Sequence, residues 1–144
     1  MDDTERRTVR TETNPGERGK WISGLVALLG LWLVVAAFVF ELVETNFWNY
    51  LVVGLLLVVL GRYDYARRSG ERRGSVAAAA FAALLGLWSI VSPGLVDTTI
   101  GGMEVVTAFG FWNSIVVGAL ALVLGADSAY EARGTGVRAT PQAR

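Results

Sequence analysis

The chain has no cysteine and no histidine, and among its 144 residues lysine occurs once, at Lys20. These absences remove whole areas of chemistry. Disulfides cannot form, and thiolate or imidazole metal sites have no ligands. Haem would find only Met1 and Met103 as soft axial candidates. General acid–base catalysis loses its commonest side chain. No glycine-rich phosphate loop and no nucleophile constellation occurs either. The expectation is a protein that is not an enzyme and has no cofactor, no metal site and no nucleic-acid partner.

Charge is missing locally as well. Hydrophobic residues make up 53% of the chain and charged residues 18%, but the segments 21–40, 45–61, 74–96 and 105–126 carry no charge at all. They are 20, 17, 23 and 22 residues long. A helix rises about 1.5 Å per residue, so ~20 residues match a hydrocarbon core ~30 Å thick. Soluble helices of this length show a polar stripe, and these segments are apolar all round. A chain this short has nothing left with which to bury four such helices in water. The first segment follows Arg18 and Lys20 and contains the small run Val35-Ala36-Ala37, like a signal peptide. It is long for one and belongs to a repeat, so it is expected to be retained.

The predicted organisation is an all-α, integral membrane four-helix bundle made of two parallel-repeat hairpins. Residues 1–20 form a disordered arm. Repeat 1 covers 21–61, with spans near 21–41 and 46–63, the shorter one helped by snorkelling of Arg62. An arginine-rich loop follows at 62–75. Repeat 2 covers 76–126, with spans near 75–96 and 105–126, and 127–144 is a flexible tail.

Charge sign predicts orientation. The basic residues fall in three clusters: Arg6, Arg7, Arg10, Arg18 and Lys20; Arg62, Arg67, Arg68, Arg72 and Arg73; and Arg133, Arg138 and Arg144. The two remaining loops carry acids alone, Glu41 with Glu44 and Asp97 with Glu104. Short loops rich in Lys and Arg stay cytoplasmic, so both termini are placed inside. The lipid bilayer is the first partner, and the arginine-rich loop suits anionic headgroups. Trp21, Tyr63, Tyr65 and Tyr130 fall near the inner boundary, with Phe47, Trp48, Phe111 and Trp112 near the outer one, as aromatic belts require. Trp32 and Trp88 lie well inside their helices and read as packing knobs.

The repeat is explicit. ALLGLW occurs at 27–32 and 83–88, an offset of 56, and FWN at 47–49 and 111–113, an offset of 64. FWNYLVVGLLLVVLG and FWNSIVVGALALVLG agree at 10 of 15 positions. The second copy holds eight extra residues in its outer loop, around 97–102. Each copy has two spans, so both enter the membrane in the same direction, with a pseudo-two-fold axis along its normal. The inverted repeats of many transporters have the opposite parity.

Small residues recur at matched places: Gly54 with Gly61, Gly118 with Gly125, and Ala78, Ala82 and Gly86 in a row. Such faces let helices approach closely where lipid gives no hydrophobic drive. Asn49 and Asn113 are a second matched pair, suited to hydrogen bonding across the axis or to neighbouring carbonyls, with ligand contact as the alternative. The four outer-loop acids suit a cation, or more simply form a solvated rim.

After ALLGLW, the third span continues through Ser89-Ile90-Val91 to Ser92-Pro93-Gly94. That run and the doubled hairpin resemble the SPW-repeat family of bacterial and archaeal membrane proteins. The family's units carry a Ser-Pro-Trp motif near the end of the first helix. Gly94 replaces the Trp here, and the first copy reads Ala36-Ala37-Phe38. The resemblance implies a fold and a prokaryotic cell membrane, and no activity. Pro93 removes a backbone donor, so Ser92-Pro93 is expected to end the third helix, with a hinge as the alternative. Two functional readings follow: a non-catalytic module that packs with itself or another membrane protein, or a small oligomeric transporter or channel.

Overall fold

A computed structural model of the chain describes residues 15–40, 42, 44–70, 72–100 and 108–137, side chains being described from Glu17 to Leu95 and from Gly110 to Gly134. Four helices make up the described chain: α1 (Pro15–Val39), α2 (Glu44–Ser69), α3 (Val76–Ile100) and α4 (Ala108–Val137). Each is long and apolar enough to cross a membrane. Only 33–39% of the most apolar window of each is buried inside the bundle. Leu28, Leu31, Val52, Leu84 and Val116 point outward, an arrangement that suits acyl chains and not water.

Local chemistry sets several helix ends. Pro15 opens α1, where a missing N–H costs nothing and the fixed φ is already helical. Glu44 stands in the first turn of α2 and Arg67 and Arg68 in its last, each complementing the helix dipole. Ser75 caps α3, its Oγ accepting from the Ala78 N–H at 3.2 Å.

Every helix departs from its expected bounds: α1 starts at Pro15, inside the segment 1–20 read as a disordered arm, and a first charged residue does not end α2 or α4, whose polar groups find partners. α2 continues through Ser69, into the segment read as loop 62–75, and α4 runs to Val137, through most of the expected tail. α3 passes straight through Pro93 to Ile100, so Ser92-Pro93 is not its terminator. Proline removes one hydrogen bond from the ladder, a loss that neighbouring helices make tolerable in membrane proteins. Pro93 is buried against them. The extra outer-loop residues from 101 onward, most of the acidic rim, Met1 and Met103 lie outside the described side chains.

Packing is uneven. α1 lies closely along α2 and α3 along α4, and the two hairpins meet through the lesser contacts α2–α3 and α1–α4. Glycines make the intra-hairpin contacts close. A Cβ on Gly54 would fall 2.7 Å from the Gly30 carbonyl oxygen and 3.0 Å from the Val34 nitrogen. On Gly118 it would fall 2.7 Å from the Gly86 oxygen and 3.0 Å from the Ile90 nitrogen. Gly61 lies against Ala27 and Ser23, and Gly125 against Ala83 and Ala79. Contact for contact, the partners in the second hairpin follow those in the first by 56 on the first helix and 64 on the second. Gly30 belongs with these glycines, and its place in ALLGLW, matched by Gly86, is its signal in the sequence.

The nearest obstructing atoms, the Gly30 and Gly86 carbonyl oxygens, are backbone and cannot rotate away. Gly54→Ala and Gly118→Ala should each destabilise the protein by about 1–3 kcal/mol. Gly24→Ala, with nothing within 4 Å, should be neutral or slightly stabilising. Unfolding followed by tryptophan fluorescence in a bilayer-mimetic detergent checks the contrast.

Candidate functional site: two polar layers

Polar side chains inside the bundle gather into two layers. Asn49 and Asp64, one in each, are separated by fifteen positions on α2, or about 22 Å along its axis. The buried face of α2 links them at helical spacing through Tyr50, Val53, Leu57, Gly61, Asp64 and Arg68.

In the first layer the bonding is reciprocal. Trp88 Nε1 on α3 donates to Asn49 Oδ1 on α2 at 2.8 Å. Trp32 Nε1 on α1 donates to Asn113 Oδ1 on α4 at 3.0 Å. Each indole of one hairpin thus ties the carboxamide of the other. Trp32 and Trp88, read as packing knobs, are 45% and 46% exposed and serve as half-lipid-facing donors. Asn49 also donates from Nδ2 to Ser92 Oγ at 3.3 Å. Between the hairpins, Tyr50 Oη donates to the Gly110 carbonyl at 2.7 Å and lies in a short hydrogen bond with Ser114 Oγ. Outside this layer, Trp48 and Trp112 stack edge-on against Phe47 and Phe111, at 5.8 and 6.0 Å between centroids.

The second layer was not read from the sequence. Arg68, counted there as a loop cation, is 7% exposed along its side chain, and Asp64 is 6% exposed. Arg68 Nε donates to Asp64 Oδ2 at 2.9 Å and Arg68 Nη2 to Ser128 Oγ at 2.9 Å. Arg68 Nη1 lies 3.7 Å from Glu131 Oε2. Asp64 Oδ1 accepts the Ser75 N–H at 2.7 Å. The Ser23 hydroxyl, set between Gly19 O at 2.9 Å and Asp64 Oδ2 at 2.6 Å, donates to the charged and nearer acceptor. Room for the guanidinium comes from Gly19 on α1 and Gly74 before α3, where a Cβ would collide with Arg68 atoms. The cluster therefore joins α1, α2, α4 and the approach to α3. A cavity of only about 10 Å³ lies beside it, between Asp64, Ser128, Gly61 and Gly125, at the lower limit for one water.

The sequence did contain a signal for this layer. Asp64 and Arg68 are four apart and extend the buried run of α2, so they share a face with the core. An offset of 64 aligns Tyr50 with Ser114 and Asp64 with Ser128, and both aligned pairs are in contact, the second at 3.5 Å. Neither carboxylate nor guanidinium is left to act on a solute. Asp64 accepts from Ser23, Arg68, Ser75 and Ser128, and Arg68 is held by three side chains.

The chain matches the model of the SPW repeat domain over residues 20–128. It belongs to the SPW repeat family. No match was found among curated proteins or among solved structures. Family membership and four span-length apolar helices agree on a multi-pass membrane protein.

Removing one member of a buried ion pair strands the other. Arg68→Ala and Asp64→Ala should each cost about 3–5 kcal/mol, and the apolar pair Asp64→Leu with Arg68→Met much less than their sum. Arg67→Ala, which loses an exposed contact to Tyr63, serves as the near-neutral control. A double-mutant cycle on detergent unfolding reads the coupling.

Proposed function

We propose that this chain is a non-catalytic integral membrane module. Its interior polar groups serve to lock its own four helices, and its apolar outer faces pack with a second copy or another membrane protein. One observation carries the reading: Asn49, Trp88, Ser92, Tyr50, Asp64 and Arg68 all direct their polar atoms at partners within the chain. A solute pathway needs such groups turned toward a lumen, and here they close the interior. Crosslinking in native membranes, with affinity purification and mass spectrometry, should give a defined homo-oligomer or one recurrent membrane protein. A bare monomer in native membranes, with ion flux in reconstituted vesicles, would favour the channel reading instead.

The two hairpins are parallel copies about a pseudo-two-fold axis along the membrane normal, in a prokaryotic cell membrane, with both termini cytoplasmic. Self-contacting aligned pairs support the axis, because a position that touches its own symmetry mate lies on it. Arg62, Arg67, Arg72 and Arg73 gather at the Asp64 end of the bundle and support the orientation. The absence of cysteine makes the test clean. A membrane-impermeant thiol reagent should label Thr45→Cys in intact cells and Ser69→Cys only after permeabilisation. The reverse pattern would invert the topology.

A further inference from the structure

The two asparagines differ in one bond. Asn49 uses both ends of its carboxamide, accepting from Trp88 and donating to Ser92. Asn113 accepts from Trp32, but its Nδ2 is buried with no hydrogen-bond partner. Sequence explains the difference. Ser92 stands one helical turn beyond Trp88, and the residue one turn beyond Trp32, offset from Ser92 by 56, is Ala36. Ala36 is fully buried, so no water reaches its place, and a methyl group accepts nothing. A buried amide donor without an acceptor costs far more than a made bond returns, and lipid offers it little relief.

We propose that the α1–α4 seam, at the end of the bundle carrying Asn113, is where the two hairpins part, and that Ala36 makes it so. Separation there gives up the one Trp32–Asn113 bond and lets Nδ2 reach water or a lipid carbonyl, whereas separation at α2–α3 breaks two satisfied bonds of Asn49 and gains none. The opposite end does not follow. Arg68 holds Ser128 and Glu131 on α4, and Arg18 on α1 lies 3.3 Å from Asp127 on α4. The opening is a wedge, hinged at the ion-pair layer and widening toward the Trp–Asn layer. This goes beyond assembly and does not depend on which side of the membrane either end faces.

Matched exposed valines allow a direct test in a chain without cysteine. Val35 and Val116 flank the α1–α4 seam, and Val91 and Val52, offset by the same 56 and 64, flank the α3–α2 seam; all four are exposed. Spin labels on Val35→Cys with Val116→Cys should show a broader distance distribution in nanodiscs than labels on Val52→Cys with Val91→Cys. Ala36→Ser should narrow the first distribution to the width of the second, and Ser92→Ala should broaden the second. Ala36→Ser combined with Ser92→Ala should exchange the two widths. Equal widths in the unsubstituted chain, or a first distribution that Ala36→Ser leaves unchanged, would overturn the proposal, as would a double variant that exchanges nothing.

Discussion

Arg68 is the side chain on which most of the bundle converges. It sits on α2, runs past Gly19 of α1 and Gly74 before α3, and reaches Ser128 and Glu131 of α4. Lipid gives apolar helices no reason to prefer one another over acyl chains, so close backbone contact and polar bonding must hold them. A guanidinium suits that duty. Its planar fork of fixed donors binds several partners at set angles, and it cannot shed its charge to escape burial. Asp64 makes that burial possible by accepting from Arg68 at 2.9 Å while also taking the Ser23 hydroxyl and the Ser75 N–H.

The fold was legible in the sequence because a bilayer imposes a length and forbids charge. The uncharged segments located all four helices, and the matched glycines Gly54, Gly61, Gly118 and Gly125 lie on close interfaces as their spacing implies. Helix ends were less legible. Charge marks where a helix leaves hydrocarbon, and α2 and α4 continue beyond that level because Asp64, Arg68, Ser128 and Glu131 satisfy one another there. Which arginine of a cluster is buried depends on the face it shares, and contacts with Asp64, Gly19, Gly74 and α4 distinguish Arg68 from half-buried Arg67. The pairing of Trp32 with Asn113 and of Trp88 with Asn49 was hidden for a different reason. Matched residues in two copies say nothing about whether bonds form within a copy or between copies.

The two hairpins have similar glycine contacts but different contents where they meet. Tyr50 faces Ser114, Asp64 faces Ser128, and Ser23 aligns with Ala79 and Arg68 with Ala132. At the centre, identical residues would have crowded two tyrosines, or set two carboxylates against each other at a cost of several kcal/mol in a medium of low dielectric. One large and one small residue, or one charged and one neutral, fills the same space without conflict. Divergence between the halves is therefore a packing requirement at positions that touch their own counterparts.

The closer packing within hairpins than between them bears on biogenesis. The contacts of Gly30 with Gly54, Ala27 with Gly61, and Ser23 with Asp64 lie wholly within α1 and α2 and need neither later helix. Arg68 has its carboxylate four residues upstream on the same helix, so that pair does not depend on α3 or α4. Arrival of α4 then supplies Ser128 and Glu131 to donors that are already positioned. The first hairpin acts as the template, and the second completes it.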